Sequence, residues 1–73
     1  MAAEIVGKFR KGDRVVVVAT EDDPDYWCAG CHGTVRGIFP MGKRPPIYLV
    51  KLDESPSPMI KDSWIYESEL ERE

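Results

Sequence analysis

The chain of 73 residues has two cysteines, one histidine and no long apolar run, and each scarcity excludes a class of protein. Two cysteines are too few for the disulfide framework of a small secreted domain. The longest uninterrupted apolar run, residues 15–19, is far shorter than the roughly 20 residues that cross a bilayer. The first residues lack the apolar stretch of a signal peptide. We therefore expect a cytoplasmic protein that is not inserted in a membrane.

An excess of positive charge is also lacking. Ten lysines and arginines face thirteen aspartates and glutamates, which leaves a formal net charge of −3 at pH 7. Proteins that mainly neutralise nucleic-acid phosphates need a basic face. A local basic patch stays open as an alternative, and together with aromatic side chains it would suit single-stranded nucleic acid. Its candidate members are Arg14, Arg36, Lys43 and Arg44.

Helix-forming patterns are scarce as well. Valine and isoleucine together number twelve, against three leucines and four alanines, and branched side chains favour strands over helices. Six glycines and six prolines divide the chain into pieces shorter than a typical helix. No segment keeps apolar residues at helical spacing for three turns. These features predict an all-β fold.

Turn-forming residues separate the predicted strands. Loops are expected at residues 20–33 and 40–46, and Gly37 marks a bulge because Val35 and Ile38 cannot share a face at period two. One helical turn is expected at residues 67–70, before a last short pairing segment. The other strands are predicted at about residues 13–19, 33–39, 47–52 and 59–66, the last of them kinked at Asp62 and Ser63.

The alternation of side chains predicts which residues form the core. Lys51 outward places Tyr48, Val50 and Leu52 inward. Five short strands favour a small barrel, because closure removes exposed sheet edges. We expect an arm at residues 1–10, a barrel at 11–71 and a frayed tail at 72–73. The predicted core comprises Val15, Val17, Val35, Val50, Leu52, Ile60, Ile65 and Leu70.

Several short segments, taken in order, resemble the SH3-like barrels. They are residues 11–17 (Lys-Gly-Asp-Arg-Val-Val-Val), Tyr26-Trp27, Gly33-Thr34-Val35, residues 48–53 and Glu69-Leu70. Within that fold the chain resembles photosystem I reaction-centre subunit IV and its relatives, the variable chain of ferredoxin–thioredoxin reductase and the barrel domain of the nitrile hydratase β subunit. The resemblance covers about residues 11–71 and implies a five-stranded SH3-like barrel. It also implies a non-catalytic small subunit that docks a partner or stabilises a larger complex.

Four aromatic residues are the predicted partner-binding residues: Tyr26, Trp27, Trp64 and Tyr66. If Ile65 points into the barrel, alternation directs Trp64 and Tyr66 outward. Tryptophan and tyrosine dominate the binding energy of protein interfaces. The open alternative is that these large side chains close the ends of a small barrel.

Cys28, Cys31 and His32 form a C-x-x-C-H pattern. This pattern is typical of covalent haem attachment, in which two thiols bond the vinyl groups and the histidine ligates iron. The same side chains supply three of the roughly four ligands of zinc, with Asp25, water or a partner chain as the fourth. The third interpretation is two small thiols at a loop–strand junction beside an exposed histidine. We expect no cofactor, with zinc as the alternative.

Catalytic arrangements are lacking. The sequence has no Ser-His-Asp pattern and no phosphate-binding glycine loop, and His32 has no identifiable nucleophile as partner. We therefore expect a non-catalytic interaction or accessory module that binds a protein. A homodimer stays open, because Val16 and Val18 point outward from the first strand.

Overall fold

A computed structural model describes residues 7–73 and contains five strands in a single antiparallel sheet. The sheet order is β4-β3-β2-β1-β5, and a 3₁₀ turn over Glu67–Glu69 joins β4 to β5. The strands are β1 (Arg14–Val17), β2 (His32–Met41), β3 (Arg44–Leu52), β4 (Asp62–Tyr66) and β5 (Leu70–Arg72). This confirms the predicted small all-β fold with one short helical turn near the carboxyl end. Across residues 7–73 no helix is long and apolar enough to cross a membrane.

The β2–β3 hairpin is longer than the sequence predicted. The expected loop at residues 40–46 is reduced to a turn at Gly42 and Lys43, where Gly42 has a φ of 68° that favours glycine. The sheet register shifts between Phe39 and Met41, so that Pro40 occupies an irregular position of the ladder. Proline has no N–H to donate, and it is tolerated at such positions because the regular ladder hydrogen bond is missing there.

The predicted bulge in β2 is confirmed. Val35 lies opposite Val50, whereas Gly37 lies opposite Leu49, so that Arg36 is the extra residue of β2. An extra residue reverses the alternation on one side of the bulge. As a result, Val35 is buried and Ile38, three residues later, also packs against the core.

Seven of the eight predicted core residues are buried, and Ile60 is the exception. Ile60 is 42% exposed because β4 begins only at Asp62. Its N–H donates to the Ser57 carbonyl at 3.1 Å, in a turn that contains Pro58. Residues 59–61 are therefore not part of a strand, and the strand predicted there is wrong.

The core also takes in a residue of the predicted arm. Phe9 is buried, and its ring meets the ring of Tyr48 edge to face, with centroids 5.3 Å apart. The Tyr48 hydroxyl, buried as predicted, donates to Glu67 Oε2 at 2.8 Å. Phe9 of the predicted arm therefore packs into the core, while residues 1–6 of that arm lie outside the described residues.

The carboxyl end is paired, contrary to the expected frayed tail at residues 72–73. Arg72 lies opposite Val15 in the ladder between β1 and β5. The Glu73 N–H donates to the Arg14 carbonyl at 3.2 Å, which extends the pairing by one residue. Val16 and Val18, on which the expectation of a homodimer depended, are half-buried.

Candidate functional site

The outward surface of β2, β3 and β4 is apolar over two neighbouring rows of side chains. Gly37, Leu49 and Trp64 form one row across the three strands. Phe39, Ile47 and Tyr66 form the next row. Because partners in a ladder share one side of the sheet, these side chains are neighbours on its outer surface.

Three aromatic rings stand out of this surface. Phe39 is 53% exposed, Trp64 is 48% exposed and Tyr66 is 64% exposed, above the half-buried Ile47 and Leu49. The Phe39 and Trp64 rings meet edge to face with centroids 6.2 Å apart. Met41, at the end of β2, is also exposed. We call Phe39, Met41, Trp64 and Tyr66 the outer aromatic face.

A groove of about 360 Å³ adjoins the outer aromatic face and shares Met41 and Tyr66 with it. One oxygen of Glu67 in its wall is already engaged, because it accepts hydrogen bonds from the Tyr48 hydroxyl and from the Lys8 N–H, the latter at 3.0 Å. The groove is lined by Lys8, Met41, Arg44, Pro45, Tyr66, Glu67 and Ser68.

Tyr26 and Trp27 lie on the long loop between β1 and β2. Their rings are 6.4 Å apart. Tyr26 is half-buried against the core, and burial, followed by the charge of Glu69, raises its pKa. Trp27 is 38% exposed. Among the described residues no aromatic contact links this pair to Trp64 or Tyr66, so the four predicted residues form two separate groups.

The four residues of the predicted basic patch do not lie together. Arg14 lies opposite Thr34, whereas Arg44 lies opposite Met41, about 20 Å further along β2. The Arg14 guanidinium forms ion pairs with Asp53 and with Glu73, the latter at 2.9 Å. These hydrogen bonds raise the pKa of Arg14 and lower the pKa of both carboxyls.

The other three residues of the predicted basic patch, Arg36, Lys43 and Arg44, belong to a segment without acidic side chains. Residues 33–52, most of the β2–β3 hairpin, contain four basic residues and no aspartate or glutamate. The rest of the chain contains six basic and thirteen acidic residues. The net charge of −3 therefore conceals a basic hairpin that carries half of the outer aromatic face. Its basic residues are Arg36, Lys43, Arg44 and Lys51.

The C-x-x-C-H segment forms a turn and the start of β2. The Cys31 N–H donates to the Cys28 carbonyl at 3.0 Å, and Gly30 has a φ of 90°. Cys28 is buried, and its pKa rises to about 11, mainly because burial disfavours the thiolate. Exposed His32 has Nδ1 2.7 Å from Glu73 Oε2. Within residues 7–73 no three His, Cys, Asp or Glu side chains are grouped to hold a metal ion.

A second cavity, of about 450 Å³, lies beside this segment. Its wall contains both the Arg14–Asp53 ion pair and the His32 imidazole. The cavity is therefore lined by charged and polar side chains, whereas the surface of the groove is mostly apolar. The cavity is lined by Arg14, Gly30, Cys31, His32, Asp53 and Glu54.

Glu69 is a buried acidic residue that sequence reasoning missed. Its side chain is 7% exposed, and Oε1 makes no hydrogen bond within the described part of the chain. Burial, followed by the charge of Asp23, raises the pKa of this carboxyl, and a hydrogen bond with the Tyr66 backbone partly opposes the rise. Glu69 is the third residue after Tyr66, the position from which a glutamate reaches back to the start of a helical turn.

Phe39 and Met41 are members of the outer aromatic face that the sequence analysis did not select. A signal for Phe39 was present, because Ile38 facing inward after the bulge places Phe39 outward. Met41 lay in a predicted loop, and only the length of the hairpin places it beside Tyr66.

Comparison of the chain with known protein families, with curated proteins and with solved structures found no match.

Proposed function

We propose that the protein is a non-catalytic interaction module that binds a protein partner through the outer aromatic face. The observation that carries this proposal is the contact of exposed Phe39 with exposed Trp64, beside exposed Tyr66. Continuous exposed apolar surface on a small protein marks an interaction site. Tryptophan and tyrosine contribute much of the binding energy where such surfaces are covered by a partner.

The support beneath the outer aromatic face favours a preformed binding surface. Ile47 and Leu49 lie under the rings, and a side chain at Gly37 would come within 3.8 Å of the Trp64 ring. The Trp64 indole therefore lies over the backbone of β2 at Gly37. Side chains held in this way lose less conformational freedom on binding.

We further propose that the sheet curls into an SH3-like barrel. The sheet order supports this proposal, because β5 pairs with β1 although it directly follows β4 in sequence. Ile65 of β4 and Leu70 of β5, from the two edge strands, belong to the same core as Val15 and Val35. A flat sheet would hold its two edges too far apart to share one small core.

A quantitative binding measurement tests the proposed function. Partners are captured by cross-linking from an extract of the source organism, identified, purified and titrated against variants of the chain. Truncation of an aromatic hot-spot residue costs about 2 kcal/mol or more, so we expect Trp64→Ala/Tyr66→Ala to weaken binding at least about thirty-fold. Trp27→Ala is the matched control, since it removes an exposed indole away from the outer aromatic face.

The control should bind the partner as tightly as the unchanged chain. Thermal melts establish that all variants are folded before the titrations are compared. Equal affinity of the double variant and the unchanged chain would contradict the proposal, as would a loss confined to Trp27→Ala.

A further inference from the structure

We infer that the outer aromatic face and its groove bind an extended acidic segment of a partner protein. Such a segment carries carboxylates beside apolar or aromatic side chains. The inference rests on the proposed function and specifies the chemistry of the partner. Three observations carry it: the charges around the face, the shape of the groove and the free edge of β4.

The first observation is that the cations around the face are available. Arg36 is exposed at the bulge, Lys43 is exposed in the hairpin turn, and Arg44 is exposed in the groove. None of the three forms an ion pair with another residue of the range 7–73. Lys51, the fourth basic residue of the hairpin, is less available to a partner, because Asp62 lies opposite to it in the ladder. Available cations at the rim of an apolar surface select a partner of opposite charge.

The second observation is the size of the groove. A volume of about 360 Å³ is at the lower end of the range for sites that hold small ligands. It admits one or two side chains and not a folded surface. Met41, Pro45 and Tyr66 supply apolar walls. The charged residues of the lining are two basic ones, Lys8 and Arg44, and one acidic one, Glu67, which accepts hydrogen bonds from the Tyr48 hydroxyl and the Lys8 N–H. An apolar side chain with a neighbouring carboxylate matches this lining.

The third observation is that β4 is an edge strand of the sheet. The Leu52 N–H donates to the Lys61 carbonyl at 2.9 Å, just before β4 begins. Backbone groups alternate in direction along an antiparallel ladder, so those of Asp62 and Trp64 point away from β3. An extended segment bonds to such an edge by strand addition. It would then lie beside the rings of the outer aromatic face.

Single-stranded nucleic acid fits these observations less well. The Trp64 ring meets Phe39 edge to face, and Arg14, a candidate phosphate contact, is engaged by Asp53 and Glu73. A long polyanion would also meet the thirteen acidic residues of the chain. A short peptide experiences mainly the local charges, because salt screens others beyond about 10 Å.

Selection from a displayed library of random peptides tests the inference. Peptides of about ten residues span about 33 Å when extended, which is enough to follow β4 into the groove. The library is selected on the immobilised chain. Recovered peptides are synthesised, and their affinities for the chain and its variants are measured by fluorescence polarisation at low and high salt.

Two dibasic pairs provide a matched comparison. Lys43→Gln/Arg44→Gln removes two charges at the groove and the hairpin turn, and Arg10→Gln/Lys11→Gln removes two exposed charges that do not line the groove. We expect recovered peptides to be rich in aspartate and glutamate next to apolar residues. Their affinity should fall about ten-fold in the first variant and in Trp64→Ala/Tyr66→Ala, and change less than about two-fold in the second. Added salt should weaken it.

Each remaining outcome overturns the inference in a distinct way. If the recovered peptides are neutral or basic and their binding requires Trp64, the inference of an acidic partner is wrong and the proposed function is unaffected. If no peptide is enriched, or if the enriched peptides bind equally well without Trp64 and Tyr66, the inference that the face binds an extended segment is wrong. Tighter binding of an oligothymidine of similar length, dependent on the same side chains, would assign the face to nucleic acid instead.

Discussion

Glu69 shows how one residue links local structure to the stability of the whole chain. It belongs to the 3₁₀ turn that joins β4 to β5, and its carbonyl accepts a hydrogen bond from the Val18 N–H at 2.9 Å. Its carboxyl group is removed from water, and Oε1 has no partner among the described residues. A buried carboxylate with one unpaired oxygen is costly, so burial raises the pKa of Glu69.

The raised pKa of Glu69 predicts a pH dependence that a substitution should remove. The folded state holds this proton more tightly than the unfolded state, so the stabilisation is complete below the ordinary carboxyl pKa and is lost as pH rises through the raised one. We expect the stability of Glu69→Gln, relative to the unchanged chain, to increase as pH rises above about 4. Urea unfolding at several pH values measures the difference, and a difference that is constant or decreases with pH would contradict the prediction.

At the scale of the element, β2 combines two glycines with opposite surroundings. Gly33 is buried, and a Cβ atom there would lie 2.6 Å from the Lys51 carbonyl oxygen and 2.7 Å from Val50 Cγ1. Gly37 has more room, since the nearest atom to a Cβ would be Leu49 Cβ at 3.4 Å. The first glycine allows close approach of β3, and the second follows the bulge on the outer surface.

The two glycines form a matched pair of substitutions. Gly33→Ala should lower the free energy of unfolding by about 1–3 kcal/mol, because a backbone carbonyl cannot move aside as a flexible side chain can. Gly37→Ala should cost clearly less. Chemical unfolding followed by circular dichroism compares them, and equal losses in both variants would show that β3 adjusts to the added methyl group.

Side-chain alternation in the strands was predictable from the sequence, whereas the effect of the prolines was not. Alternation is a local property of a strand, and it correctly predicted the bulge from Val35 and Ile38 and the burial of Tyr48 from Lys51. The prolines misled in both directions, because Pro40 lies within the paired hairpin whereas the turn that contains Pro58 extends to Ile60, before β4 begins. Whether a proline ends a strand depends on what lies opposite, which is decided by tertiary pairing.

At the scale of the molecule, an ionic cluster joins four distant parts of the chain. Arg14 of β1 bonds Asp53, just after β3, and Glu73, just after β5, which also lies beside His32 of β2. The hydrogen bonds from Arg14 lower the pKa of both carboxyls, and His32 adds to the effect on Glu73. These side chains are partly exposed to solvent, so salt screens their interactions.

The cluster predicts a pH dependence of the opposite sign to that of Glu69. Carboxyls with lowered pKa values stabilise the folded state above their ordinary pKa, and the contribution is lost as pH falls through the lowered values. We expect the stability advantage of the unchanged chain over Arg14→Gln to shrink as pH falls below about 5. Arg36→Gln is the control, since Arg36 makes no ion pair within residues 7–73. Thermal melts across this range measure the advantage, and an advantage that grows in acid would contradict the assignment.

The sequence by itself determined the all-β class, most of the core and the outward direction of Trp64 and Tyr66, because propensity and alternation are properties of each strand alone. Tertiary structure decided which outward residues became neighbours. It placed Phe39 against Trp64, and it separated Arg14 from Arg44 at the two ends of β2. The physical reason is that register and sheet order follow from packing between residues distant in sequence, such as Phe9 against Tyr48.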